Sequence, residues 1–213
     1  MTISLDPVVT PHVRAGVLAV DAVRVAASDP RLDEAMRQAE ARLPHAPELT
    51  TVVAAVRAMY RRFGVDPTRT RPSSEALLRR VRKGDGLPRV NTAVDLCNWC
   101  SVETQLPFGL YDRALVQGQV TLRVGREGEA YDGIRKDTVH LSGRLALADA
   151  IGPFGNPTSD SARTSVRLAT CRLLFVIFAP RALPASLVEG ALDLTAARVR
   201  EYCGGIEVER AVA

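Results

Sequence analysis

Histidine is scarce in this chain of 213 residues, which contains only His12, His45 and His140. The three are scattered, and no G-x-S-x-G nucleophile elbow accompanies them. A Ser–His–Asp hydrolase needs a histidine base beside its nucleophile, so the sequence argues against that mechanism. If the chain is a hydrolase, we expect it to use a water held by polar side chains and backbone N–H groups.

Cysteine is also rare, with four residues in the whole chain. Cys97 and Cys100 form one C-x-x-C pair, whereas Cys171 and Cys203 are isolated. A structural zinc site needs two further ligands at suitable spacing, and none is present here. We therefore predict no metal and no cofactor, and we expect the paired thiols to pack as small apolar groups.

Long apolar runs are absent. A membrane-spanning helix needs roughly 18 or more consecutive apolar residues, and the longest candidate is the short run Leu173 to Pro180. That run suits a buried strand. The N-terminal segment lacks the basic and apolar regions of a signal peptide, so we expect a cytoplasmic protein without a membrane partner.

Lysine is nearly absent, and arginine carries almost all of the positive charge behind a net charge of +4. The arginines concentrate between Arg57 and Arg89, where Asp66, Glu75 and Asp85 are the only acidic residues. Such a cluster favours an RNA backbone or another phosphate-bearing ligand. A solvated helix face is the alternative. The candidate RNA contacts are Arg71, Arg79, Arg80, Arg82, Lys83 and Arg89.

The order of predicted elements indicates an α+β fold. One strand over 16–26 precedes helices over 30–43, 48–63 and 73–83, and a further helix ends before Pro107. Short strands follow over 119–124, 138–141 and 145–148, then an apolar strand over 171–179 and a helix over 184–203. Because helices and strands are segregated along the chain, α+β is favoured over a doubly wound sheet.

The helix before Pro107 has an unusual polar stripe. Asn91, Asp95 and Asn98 follow at spacings of four and three residues, so they share one helical face. Short side chains that donate and accept hydrogen bonds are typical of a lined cleft. The alternative is that these side chains satisfy neighbouring backbone groups.

The loop Gly152 to Thr164 is a second candidate site. Its glycines allow a close backbone approach to a ligand, and N–H groups at such turns bind anions. Asp160, Ser161, Arg163 and Thr164 add a carboxylate, two hydroxyls and a guanidinium. The spacing matches neither a Walker nor a Rossmann pattern. The alternative is a long turn with local hydrogen bonds between side chains and backbone.

Three stretches together resemble a known family: RRFGVDPTRTRPSSEALLRRVRKG, LPRVNTAVDLCNWCSVETQLPFGLYD and LADAIGPFGNPTSDSARTS. They are similar to the tRNA-binding editing domain (the B-three/B-four domain) of the bacterial phenylalanyl-tRNA synthetase beta subunit. They are more similar still to free-standing proteins built from that domain. The resemblance covers about Gly16 to Pro180. It implies a single three-layer α+β domain with a β-sandwich of unusual topology flanked by helices.

The resemblance also implies a chemistry, since the synthetase domain hydrolyses the ester of tyrosine wrongly attached to phenylalanine tRNA. Asn156 stands where we would expect the synthetase's glutamate, and its histidine has no counterpart, so its site residues do not transfer as a set. The resemblance implies catalytic roles for Asn91, Asp95, Asn98, Glu103, Gly155 and Asn156. Substrate contacts would come from Ser101, Phe108, Gly109, Gly152, Asp160, Ser161, Arg163 and Thr164.

In this hypothesis, Asp95 or Glu103 binds the substrate ammonium group, and Asn91 and Asn98 hold the ester or a water. N–H groups of Gly152, Gly155 and Asn156 would stabilise the oxyanion. Glu103 reaches the same cleft only if the helix bends, because it points about 120° away from Asn91.

We therefore expect a trans-acting aminoacyl-tRNA deacylase whose partner is the aminoacylated 3′ end of tRNA, with no DNA partner. The alternatives are a non-catalytic tRNA- or RNA-binding module and a protein that binds an amino-acid-like small molecule. The predicted domain spans 16–205, with loose segments over 1–15 and 206–213. No synthetase catalytic module fits in this length.

Overall fold

The computed structural model describes residues 3–47, 49–134 and 137–213. Five α-helices lie in these ranges. Their bounds are α1 Pro30–Arg42, α2 Thr50–Arg62, α3 Ser73–Arg82, α4 Thr92–Thr104 and α5 Ala185–Tyr202. Each matches a predicted helix to within a few residues, although the predicted first residue of α2, Glu48, lies outside the described ranges.

Ten strands also lie in the described ranges. They are β1 Ile3–Leu5, β2 Val13–Asp21, β3 Phe108–Asp112, β4 Val120–Val124, β5 Ala130–Asp132, β6 Thr138–His140, β7 Leu145–Ala148, β8 Pro153–Gly155, β9 Arg172–Pro180 and β10 Ile206–Val212. One four-stranded sheet has the order β1-β4-β7-β8, a second has β10-β2-β9-β3, and β5 pairs with β6.

Strand β9 is the centre of the second sheet. It pairs antiparallel with β2 on one side and with β3 on the other. Every residue from Leu173 to Pro180 is buried, as expected for an apolar run covered on both faces. Its side chains and those of β4 and β7 belong to one hydrophobic core. The two four-stranded sheets and the helices therefore share a core, and the predicted α+β class is confirmed.

Local sequence signals determine the helix ends. Asp29 caps α1 by accepting a hydrogen bond from the Arg31 N–H, with Pro30 in the first turn. Asn91 caps α4 in the same way, accepting from the Val94 N–H. At its other end, α4 stops at Gln105, which has a φ of 57°. None of the described helices has the length and apolar character needed to cross a membrane.

Both chain ends differ from the prediction of loose segments. Strand β1 pairs in parallel with β4, and β10 pairs antiparallel with β2 over six residue pairs. Residues 13–15 belong to β2 rather than to a loose leader. These short strands carry little signal of their own, because their partners are distant in sequence.

Two predicted turns also contain strands. Phe108 and Gly109 begin β3 instead of forming a turn. Pro153 to Gly155 form β8, which pairs with β7, although the sequence indicated a loop over the whole of 152–164. β3 and β8 are edge strands of the two four-stranded sheets. The two edges lie next to each other, because the Tyr111 side chain of β3 reaches the backbone of Gly155 in β8.

Candidate functional site

The side chain of Tyr111 lies between two glycines from different sheets. A Cβ added to Gly109 in β3, or to Gly155 in β8, would lie 2.1 Å from the Tyr111 hydroxyl oxygen. The tyrosine is fully buried, and its ring packs edge-on against Phe154 with ring centroids 4.9 Å apart. The fold therefore requires glycine at both positions because the backbone approaches an aromatic hydroxyl. Backbone conformation is not the reason, since neither glycine has a positive φ.

Asp160 lies beside Tyr111. Its Oδ2 accepts a weak hydrogen bond from the Leu110 N–H at 3.4 Å. The Asp160 Oδ1 and the Tyr111 hydroxyl are both buried without a hydrogen-bond partner among the described residues. Burial raises the pKa of the Asp160 carboxyl to about 7. It also raises the pKa of Tyr111 well above its usual value, and the nearby Asp160 charge adds to that rise. A carboxyl group that titrates near neutrality is suited to proton transfer.

The turn Asn156 to Ser159 is held in place from three directions. Asn156 Oδ1 accepts from the N–H groups of Thr158 and Ser159 at 2.7 and 2.9 Å. The Tyr60 hydroxyl, from α2, donates to the Pro157 carbonyl at 2.7 Å. The Tyr131 hydroxyl, from β5, donates to the Ser159 carbonyl at 2.5 Å. The turn is consequently a rigid wall rather than a free loop.

A cleft of about 190 Å³ lies between this turn and the C-terminal end of α2. We call it the loop cleft. Its apolar side comes from α2 and from β6 and β7, and its polar side comes from the turn and from scattered hydroxyls. The lining residues are Met59, Tyr60, Phe63, Val65, Thr70, Thr138, Val139, Arg144, Leu145, Asn156, Pro157, Thr158 and Ser159.

The polar stripe on α4 does not line this cleft. Asn91 and Asp95 are only 5% and 2% exposed. Asn91 accepts from the Val94 N–H, and Asp95 Oδ1 accepts from the Val90 N–H at 2.8 Å. Burial raises the pKa of Asp95 to about 6. The prediction of a cleft lined by these two residues is wrong, because their side chains satisfy backbone groups at the start of the helix.

The remaining α4 candidates have other surroundings. Glu103 forms ion pairs with Arg42 of α1 and Arg198 of α5, so it does not reach a shared cleft with Asn91. The Ser101 hydroxyl donates to the Leu106 carbonyl at 2.7 Å. Asn98 is half-buried and has no side-chain hydrogen bond among the described residues. Burial raises the pKa of the Cys97 thiol in the same helix, and the charge of the nearby Asp160 adds to that rise.

Several loop candidates are already engaged in internal contacts. The Gly152 N–H donates to Asp149 Oδ1, and the Asn156 N–H donates to the Ser159 carbonyl. Neither N–H group is therefore available to an oxyanion, and the prediction that both would stabilise one is wrong. Arg163 forms a two-contact ion pair with Asp149 at 3.0 Å, and Ser161 caps the turn at Arg163. Phe108 and Thr164 are buried, and the Thr164 hydroxyl has no partner among the described residues.

The predicted RNA contacts divide into two groups. Arg89 forms ion pairs with Asp33 and Glu40, and Arg80 donates to the backbone carbonyls of Asp85 and Gly86. The side chains of Arg80 and Arg89 are therefore engaged in contacts within the fold. Arg71, Arg79 and Lys83 form no ion pair in the part of the chain that the structure describes, and Arg79, Arg82 and Lys83 are exposed. Arg61 and Arg62, at the end of α2, are also exposed.

A second cleft, of about 460 Å³, lies at the other end of α2, and we call it the helix cleft. Val53, Leu78 and Val102 contribute to its apolar walls, and Glu75 and Glu103 line it as ion-paired carboxylates. The sequence prediction located neither cleft. Tyr60 and Tyr131, which build the wall of the loop cleft, gave no signal, because their partners are backbone carbonyls far along the chain.

Comparisons with known proteins agree with this architecture. The family model described as the B3/4 domain matches residues 55–204. The beta subunit of a phenylalanine–tRNA ligase from Paramagnetospirillum magneticum is 31% identical over an alignment of 90 residues, and the match covers 36% of this chain and 11% of that protein. The corresponding subunit from Brucella abortus is 31% identical over an alignment of 83 residues, and the match covers 38% of this chain and 10% of that protein.

A solved structure shares the fold across nearly the whole chain. It is an N-terminal fragment of the phenylalanyl-tRNA synthetase beta subunit from Pyrococcus horikoshii, with a TM-score of 0.51 at 13% identity. The alignment covers 94% of this chain and 48% of that fragment. The curated relatives are much longer, and the match spans only about a tenth of their length.

The contact of Tyr111 with Gly155 predicts a specific stability change. Gly155→Ala should lower the free energy of unfolding by about 1–3 kcal/mol, because the new methyl group overlaps the Tyr111 hydroxyl. Adding Tyr111→Phe should recover part of that loss. Urea unfolding followed by circular dichroism measures both. Gly190→Ala in α5 is the matched control, since its Cβ meets nothing within 4 Å. Equal effects of the two alanine substitutions would contradict the contact.

The raised pKa of the Asp160 carboxyl group predicts a pH dependence of stability. Its folded pKa of about 7 exceeds the usual 3.8, so the folded state binds more protons than the unfolded state between these values. The stability it contributes is complete below about pH 4 and is lost as the pH rises towards 7, with a slope of at most about 1.4 kcal/mol per pH unit. Asp160→Asn should flatten this part of the profile. An identical profile in the variant would show that Asp160 does not titrate there.

Proposed function

The chain belongs to the B3/4 domain family, and from that premise we propose that it binds tRNA and receives the aminoacylated 3′ end in the loop cleft. The relatives carry this domain within subunits of phenylalanine–tRNA ligases. The match spans only about a tenth of those subunits, so no aminoacylation is proposed for this chain.

One arrangement supports this proposal above the others. Met59, Tyr60 and Phe63 at the end of α2 line the loop cleft, while Arg61 and Arg62 of the same turn face solvent. The neighbouring segment contributes Arg71, which follows Thr70 of the cleft lining. Exposed cations beside a cleft suit a polyanion whose end enters it. Arg79, in α3, and Lys83, which follows that helix, extend the exposed positive charge towards the helix cleft.

Hydrolysis of a mischarged aminoacyl ester in trans is a second candidate function. Asp160 supports it, because a carboxyl with a pKa of about 7 can accept a proton from water near neutral pH. Asp160 directly follows Ser159 of the cleft wall, and its carboxyl group lies beside Tyr111, next to the residues that line the cleft. Since Asn91, Asp95 and Glu103 are engaged elsewhere, Asp160 is the carboxylate that we assign to this step.

The proposed contact between these exposed cations and tRNA phosphates is tested by charge reversal. Arg79→Glu with Lys83→Glu should weaken tRNA binding tenfold or more, because each phosphate that is no longer neutralised removes a counterion-release contribution. The dependence of log Kd on log salt should also become shallower by about 0.7–0.9 per phosphate released. Filter binding over a salt series measures both quantities.

Arg167→Glu with Arg172→Glu is the matched control, because it makes the same charge change at two exposed arginines away from α2 and α3. This control should retain most of the affinity and the full salt slope. Equal losses in the two double variants would mean that only net charge matters, and the proposed binding face would then be wrong.

The hydrolytic function is tested with a panel of mischarged tRNAs. We expect loss of the ester above the buffer rate for at least one pair of amino acid and tRNA. Asp160→Asn should lower that rate by roughly 100-fold or more, as for a lost general base, while tRNA affinity is retained. If no pair loses its ester faster than in buffer, tRNA binding remains the proposed function and catalysis is rejected.

A further inference from the structure

We propose that the loop cleft is an anion-selective pocket, in which Arg144 binds a phosphate or carboxylate group carried by an apolar or planar ligand. The inference deepens the proposed function, on which it rests for the expected source of the ligand. Arg144 does not belong to the arginine cluster of α2 and α3, and it lies in the turn before β7.

The charge of the cleft is unbalanced. Arg144 is half-buried, and no acidic side chain lies within ion-pair distance of it in the described part of the chain. No aspartate or glutamate lines the cleft. Arg144 is the one cationic residue among the described residues of the lining, which also includes the apolar side chains of Phe63, Val139 and Leu145. A bound anion would supply the missing charge.

Two hydrogen bonds fix the backbone of Arg144. Its N–H donates to the Leu141 carbonyl at 2.8 Å, and its carbonyl accepts from the Gly125 N–H at 2.7 Å. The preceding Gly143 carbonyl lies 3.7 Å from the Cβ position of Gly64, which follows α2. The turn that carries Arg144 therefore packs against the segment at the end of α2.

The rest of the described cleft lining offers hydroxyl groups and no competing charge. The Thr158 hydroxyl donates to the Tyr60 hydroxyl at 3.5 Å, and Tyr60 donates to the Pro157 carbonyl. Thr70 and Thr138 also line the cleft, and their hydroxyls can donate to phosphate or carboxylate oxygens beside the guanidinium. A planar guanidinium binds either group through two parallel hydrogen bonds.

The size of the cleft limits the ligand. A volume of about 190 Å³ is below the roughly 300 Å³ at which sites for drug-sized molecules begin. The cleft therefore holds one ring or one side chain, with the anionic group at Arg144. Two sources have this chemistry: a nucleotide at the end of an RNA chain, and a free carboxylic acid with an apolar group.

Titration of the intact chain with small probes distinguishes these sources. The probes are 5′-AMP, its uncharged counterpart adenosine, and N-acetylphenylalanine, measured by calorimetry and by amide NMR shifts at Thr158 and Ser159. We expect an anionic probe to bind at least tenfold more tightly than adenosine. Arg144→Gln should remove that advantage, and Arg167→Gln, at an exposed arginine elsewhere, should keep it.

Arg144-dependent binding of 5′-AMP supports the nucleotide source, and Arg144-dependent binding of N-acetylphenylalanine supports the carboxylic acid. The proposal would be overturned if neither anionic probe binds more tightly than adenosine, or if Arg144→Gln leaves the binding of the anions unchanged. The proposed function can fail separately. Probe binding without tRNA binding rejects the tRNA function alone, and tRNA binding without anion selectivity rejects the pocket alone.

Discussion

The hydroxyl of Tyr111 joins the two large sheets at a point where neither has room for a Cβ. Gly109 belongs to the sheet centred on β9, and Gly155 belongs to the sheet that begins with β1. Because the tyrosine fills the space between them, the position of β8 and of the following turn depends on it. The turn in turn forms one wall of the loop cleft, so the geometry of the candidate site depends on this packing.

Residues that alternate or recur at helical spacing were predictable from sequence. The apolar run of β9 and the caps at Asp29 and Pro30 locate their elements without tertiary information. The short strands β1 and β10 were not predictable, because their stability comes from partners such as Val120 and Val17 that are distant in the chain. Contact with those partners, rather than local propensity, orders both ends.

The residues of the candidate site were likewise only partly predictable from sequence. Glycines and small polar residues drew attention to the loop Gly152 to Thr164, in which residues 156–159 line the loop cleft, but they did not locate the cleft itself. The stripe of Asn91 and Asp95 was misleading, since a helix cap and a ligand-binding face use the same side chains. The tyrosines and Arg144 were missed because their significance lies in what surrounds them. Burial and the absence of an acidic partner become visible only in three dimensions.

Mapping a non-hydrolysable aminoacyl end of tRNA onto the protein tests the central claim most directly. An amide-linked analogue of the terminal aminoacyl nucleotide would be titrated into labelled protein, and NMR shift changes would be recorded for each backbone amide. The largest changes should fall on residues 59–63 and 156–160, on either side of the loop cleft. Changes centred on the start of α4 near Asn91, or no changes in either cleft wall, would contradict the account.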